Sequence, residues 1–301
     1  MDKWFEDKFQ NRRLRDYTQR HLDNQDNKKL SFSRKFSITI WIIIINVIVF
    51  FLTFIFASVY GEEQIFNYLA LNPTLLFSGF FWTLFTSMFL HGGIGHLLAN
   101  TVSLFFVGSF VERIIGRKRY LWFYILSGIF AGLFYALLSF LFGSLGIGEK
   151  IFVNPSVFAV GASGAIFGLL GILAVLVPRN KIYLIAGPII ALILEFVISS
   201  VYPSSTAGSV FSFLVTFYWI FSFFAIFSFN SSLIKLTIPW EMPMWLLPII
   251  AIVPLVIIGL FVPLPIGNTA HLGGLIAGLW YGIYLKKKYG RKTAMLNKMF
   301  R

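Results

Sequence analysis

The chain has no cysteine, no aspartate after Asp26, and only 12 acidic residues against 25 lysines and arginines. Without cysteine, disulfides, thiolate nucleophiles and thiolate metal sites are all excluded. Without aspartate beyond residue 26, aspartyl chemistry inside an apolar segment has no residues to use. The two-histidine zinc motif HExxH is absent as well, and no metal or cofactor is expected. Charge is scarce at 12% of 301 residues, and what replaces it is apolar: 57% hydrophobic, 19% aromatic, mean hydropathy +0.80. One soluble domain cannot cover that much apolar surface, so a bilayer must act as its solvent.

The fold class this implies is all-α and polytopic. A membrane helix needs roughly 20 apolar residues, and eight segments come near that: 38–59, 95–111, 120–142, 161–178, 182–201, 210–229, 244–262 and 268–285. The segment 78–90, SGFFWTLFTSMFL, is too short to cross and is expected to dip into the outer leaflet or lie along it. Net charge is +13, but its placement argues against nucleic acid. Ten basic residues precede residue 37, four lie in 113–119, two in 179–181, one is Lys235 and seven lie in 286–301; only Lys150 falls on the other side of an alternating eight-span chain. By the positive-inside rule both termini are expected in the cytoplasm. The division that follows is a basic N-terminal segment at 1–36, a transmembrane domain at 37–286 and a basic tail at 287–301. The N-terminal segment reads as a solvated tail, or else as a helix on the anionic leaflet.

Ionisable and polar residues inside a bilayer are costly and point to function. Of the four histidines, His21 lies in the N-terminal segment, His91 and His96 at the start of the second span, and His271 at the start of the eighth. Even-numbered spans run inward, so His96, Asn100, Ser163 and His271 share one depth near the outer face. A serine and a histidine at matched depth suggest a nucleophile and its general base. The plainer reading makes Ser163 a packing residue and His271 an interfacial one. The glycines favour the first. Gly161, Gly164, Gly168 and Gly171 are expected to share one helix face, and Gly274 and Gly278 supply a facing Gly-x-x-x-Gly. Close packing of the two would bring His271 to Ser163, with Phe167 beneath the imidazole. No carboxylate completes a triad: Glu112 falls at the inner end of its span, and nothing ties Glu195 to His271. A dyad, with a weaker base than a triad, is therefore expected. His96 and Asn100, at i and i+4, and the Ser163 amide are candidate oxyanion donors. His91 and His96, at i and i+5, are poorly placed as a metal pair.

The residues GASG at 161–164, AHLGGLIAG at 270–278 and HGGIGHLLAN at 91–100 resemble the motifs of the rhomboid intramembrane serine proteases. The resemblance covers roughly residues 38–285. It implies Ser163 as nucleophile, His271 as base, and His96, Asn100 and the Ser163 amide as oxyanion hole, with Phe167, Gly161, Gly164, Gly274, Gly278 and His91 supporting. It further implies a six-helix core, here with two extra spans between serine and histidine. The implied partners are the bilayer and the transmembrane segments of other proteins, cleaved near the outer face, in a multi-pass protein of a bacterial plasma membrane. Two departures stand out. The family's Trp-Arg in the first loop is Trp82-Thr83, and its frequent tyrosine under the histidine is Phe167. A helix-capturing protein without hydrolysis and a solute transporter are the alternatives.

Overall fold

The computed structural model of the chain describes residues 37–187, 206–228, 230–261 and 267–299, together with residues 190, 191, 194 and 198. The expectations placed on residues 1–36, on His21 and on Glu195 lie outside the described residues.

The first helix, α1 (Ile38–Tyr60), opens at Ser37, whose hydroxyl accepts from the Ile40 amide. Only four of its 23 residues are buried, so its isoleucine- and phenylalanine-rich surface faces outward, as a lipid-facing helix requires. A run of short elements follows: α2 (Glu62–Leu69), α3 (Pro73–Phe77), α4 (Thr83–Thr86) and a 3₁₀ turn at Ser87–Phe89. The chain then returns along α5 (Ile94–Ile115), in which Leu104–Gly108 form a π segment. Gly116, at φ +85°, reverses the chain directly into α6 (Arg117–Phe142). After α7 (Ile147–Phe152) come α8 (Ser163–Leu176), β1 (Lys181–Ile185), α9 (Thr206–Phe227), α10 (Ser231–Lys235) and β2 (Pro239–Pro243). The last helices are α11 (Leu247–Phe261), α12 (Asn268–Lys288) and α13 (Gly290–Met299).

Four helical stretches among the described residues are long and apolar enough to cross a membrane: α1, α5, α6 and residues 209–227 of α9. With the helical architecture they make this an integral, multi-pass membrane protein. Four of the eight expected spans are thus matched; 161–178, 182–201, 244–262 and 268–285 are not among them. Residues 161–178 become a helix of 14 residues, about 21 Å long against a hydrocarbon core of about 30 Å, so it is too short to cross on its own. The expected fifth span, 182–201, begins as a strand instead. Lys181–Ile185 pair antiparallel with Pro239–Pro243, and most of residues 188–201 lie outside the described residues. KIYLI suits either a helix start or a strand, and hydropathy alone does not separate the two.

The centre of the molecule is α8. Eleven of its 14 residues are buried, which an apolar surface on every side demands. It packs between α6 and α12, and glycine makes the second contact possible. A methyl group on Gly171 would stand 2.7 Å from the Leu275 carbonyl oxygen, and methyl groups on Gly274 and Gly278 would strike the carbonyls of Gly164 and Gly168. The two helices therefore meet backbone to backbone. Gly161 does not belong to this stripe: its φ of +117° places it before the helix begins, and its bare face turns elsewhere.

At the N-terminal end of α1, the buried Glu112 carboxylate accepts from the Ile38 and Thr39 amides, both at 2.9 Å, and from the Thr39 hydroxyl at 2.7 Å. It thus satisfies free donors of a helix N-terminus far from His271.

Candidate active site

The segment between α1 and α5 is held without an arginine. The Trp82 indole N–H donates to the Tyr68 carbonyl at 2.8 Å, and the Thr86 hydroxyl to the Leu69 carbonyl at 2.6 Å. The Thr83 hydroxyl turns back to the Phe80 carbonyl at 2.6 Å. Leu71 and Ala159 exchange amide hydrogen bonds of 3.1 and 2.7 Å, and the Gly161 amide donates to the Ser87 carbonyl at 2.8 Å. These bonds fix the approach to Ser163 from both sides; Ser87, Leu71 and Ala159 carry no sequence signal, because their contribution is backbone.

Ser163 is the first residue of α8, so its amide is one of the N-terminal donors that no helical carbonyl accepts. Its hydroxyl oxygen lies 2.9 Å from His271 Nε2. The Phe167 ring, one turn further along α8, stacks under the imidazole with centroids 4.3 Å apart and planes 16° from parallel. His271 is 8% exposed, and its Nδ1 has no hydrogen-bond partner. Backbone contact between α8 and α12 sets this geometry: larger residues at Gly171, Gly274 or Gly278 would separate the two helices, and with them the hydroxyl from the ring.

His96 and Asn100 lie one turn apart on α5 and converge on the bare face of Gly161. A methyl there would stand 2.7 Å from His96 Nε2 and 3.5 Å from Asn100 Nδ2. The Asn100 amide also donates to the His96 carbonyl at 3.1 Å, which orients its NH₂ group. Both side chains open into a cavity of about 730 Å³ that Ser163, His271, Gly161 and Phe167 also line. His91 stands behind His96, with ring centroids 5.2 Å apart, and its Nδ1 lies 3.2 Å from the Phe89 carbonyl. Burial, and next the neighbouring His96, lower its pKa to about 4 against the pull of that carbonyl. His91 is thus neutral near pH 7 and holds its neighbour in place by packing.

No group of three His, Cys, Asp or Glu side chains able to hold a metal occurs among the described residues. What the arrangement offers is a hydroxyl, a buried base and convergent N–H donors around one hollow, the requirements of acyl transfer.

The rhomboid domain model matches residues 78–218 and 204–288 of this chain. The chain belongs to the rhomboid family. It is 35% identical over 139 residues to rhomboid protease GluP of Bacillus subtilis (strain 168), across 46% of this chain and 24% of the relative. It is 33% identical over 138 residues to rhomboid protease AarA of Providencia stuartii, across 44% and 48%. Over 90 residues it is 46% identical to RHOMBOID-like protein 1 of Arabidopsis thaliana, across 30% and 19%. The chain thus spans from about a fifth to about half the length of these curated relatives.

Proposed function

We propose that this rhomboid-family chain is a serine endopeptidase that cleaves transmembrane segments of other proteins near the outer membrane face. The observation that carries this reading is the 2.9 Å contact between Ser163 Oγ and His271 Nε2. In the first step Ser163 Oγ bonds to the scissile carbonyl carbon while its proton passes to Nε2. The oxyanion draws on the Ser163 amide, His96 and Asn100. Collapse breaks the C–N bond, Nε2 returns the proton to the leaving nitrogen, and an acyl-enzyme remains. Water then repeats the sequence, with Nε2 accepting its proton, and releases the acid and the free serine. Phe167 holds the imidazole plane throughout, and the cavity supplies the water that a membrane interior lacks. A substrate carbonyl still engaged in a helix is not free to be attacked, so substrates with small or helix-breaking residues at that depth are favoured.

The corresponding fold reading is a six-helix core with two inserted helices. Among the described helices between Ser163 and His271, α11 is read as the core one, because Ile252 and Leu247 pack with Phe167 and Leu170. By the positive-inside rule we read both termini as cytoplasmic, in a protein of a bacterial plasma membrane.

The reading is tested by cleavage of a model transmembrane substrate in proteoliposomes. Ser163→Ala and His271→Ala each abolish cleavage while leaving the thermal unfolding of the protein in detergent intact. Cleavage persisting in Ser163→Ala would end the assignment.

A further inference from the structure

The end of the molecule opposite the hollow carries a second group of side chains that catalysis does not use. Lys288 closes α12, seventeen residues beyond His271 and so roughly 25 Å along the helix axis. On that helix Lys288, Tyr284 and Tyr281 recur at i, i−4 and i−7 and share one face. Arg119, in the first turn of α6, faces them. Its Nη2 donates to the Tyr289 hydroxyl at 2.8 Å, and its guanidinium carbon lies 5.0 Å from the Tyr289 ring centre. Lys288 Nζ donates to the Tyr284 hydroxyl at 2.8 Å and lies 5.9 Å from the same Tyr289 ring. Tyr281 stacks on Phe123 of α6, with centroids 4.9 Å apart and planes 11° from parallel, which ties the two helix ends together. Two cations from distant parts of the chain are thus brought to one aromatic ring.

Like charges held close together need a counter-charge, and the protein supplies none here among the described residues. Glu112 is taken up by the start of α1 and by Arg117 at 3.6 Å. Glu241 is taken up by Lys181 at 2.6 Å and Tyr183 at 2.9 Å. Glu62 and Glu63 begin α2 at the other end of α1. Arg119 and Lys288 are exposed; besides Tyr289 the guanidinium reaches only the Ile115 carbonyl, Nη1 at 3.5 Å, so both cations keep donors that could serve a further partner.

We infer that the Arg119, Tyr289 and Lys288 cluster binds the phosphate of an anionic phospholipid headgroup. The guanidinium offers a fork for two phosphate oxygens and the ammonium a point charge beside it. The tyrosines hold both at the interface, where amphipathic rings belong. A basic cluster between helix ends has the chemistry such lipids recognise. The inference stands independently of the peptidase reading.

The test uses the full chain in detergent, titrated with phosphatidylglycerol or phosphatidylcholine and read by native mass spectrometry. Phosphatidylglycerol binds more tightly, and Arg119→Gln and Lys288→Gln each weaken it about five-fold, the loss of one interfacial cation, without changing phosphatidylcholine binding. Arg119→Lys keeps the charge and retains the preference, which separates loss of the site from loss of the fold. Equal binding of the two lipids, or a preference untouched by both glutamine substitutions, overturns the proposal. Displacement of the lipid by an equal concentration of inorganic phosphate also overturns it, because the site would then be one for free phosphate.

Discussion

His271 has one nitrogen on the Ser163 hydroxyl and the other buried with no partner. In a triad that second nitrogen would donate to a carboxylate, which fixes the tautomer and stabilises the imidazolium. Here stacking on Phe167 fixes the plane, and nothing among the described residues offsets the charge, so the proposed enzyme works with a weaker base. Transition-state stabilisation then rests more heavily on the donors around Gly161. Asn100→Ala is expected to lower kcat by about 10²-fold or more with little change in KM, since an oxyanion donor acts in the transition state. Steady-state kinetics on a model substrate check this, and an unchanged kcat removes Asn100 from the role. These side chains were legible in the sequence because polar residues at one depth of a membrane stand out. The role of Gly161 was misjudged, because spacing alone does not reveal a positive φ.

At the scale of elements, the contact between α8 and α12 decides whether the hydroxyl and imidazole meet. It is built from carbonyls lying against glycines, and a backbone cannot rotate aside as a side chain can. Gly278→Ala is therefore expected to destabilise the protein by about 1–3 kcal/mol and to reduce cleavage, measured by thermal unfolding and proteolysis on the same preparation. Wild-type stability would show that the helices have room to part. The facing glycines and most helix limits could be read from pattern, because apolar length and small-residue spacing are local signals. The pairing of Lys181–Ile185 with Pro239–Pro243 could not. Strand pairing depends on residues more than fifty positions away, and five apolar-rich residues look alike before a helix or in a ribbon. The 3₁₀ turn and the Leu71 bridge to Ala159 escaped for the same reason: their information lies in backbone hydrogen bonds.

For the whole molecule, the basic residues divide so unevenly between alternate connections that they predict an orientation. In the predicted orientation Lys150 lies on the outer side, and Arg119 and Lys287 lie on the inner one. The absence of cysteine makes this direct to test, since any introduced thiol is the only one. In right-side-out vesicles, Lys150→Cys reacts with a membrane-impermeant maleimide, and Lys287→Cys reacts only after the membrane is opened. The reverse pattern would invert the topology and move the proposed cleavage to the other face.

The central claim is that Ser163 is a nucleophile activated by His271. It is tested most directly by treating the purified protein with a fluorophosphonate and locating the adduct by peptide mass spectrometry. The account predicts a single adduct on Ser163 in the wild type, lost in Ser163→Ala and strongly reduced in His271→Ala. An unlabelled Ser163 in folded wild-type protein, or labelling that is indifferent to His271, would contradict it.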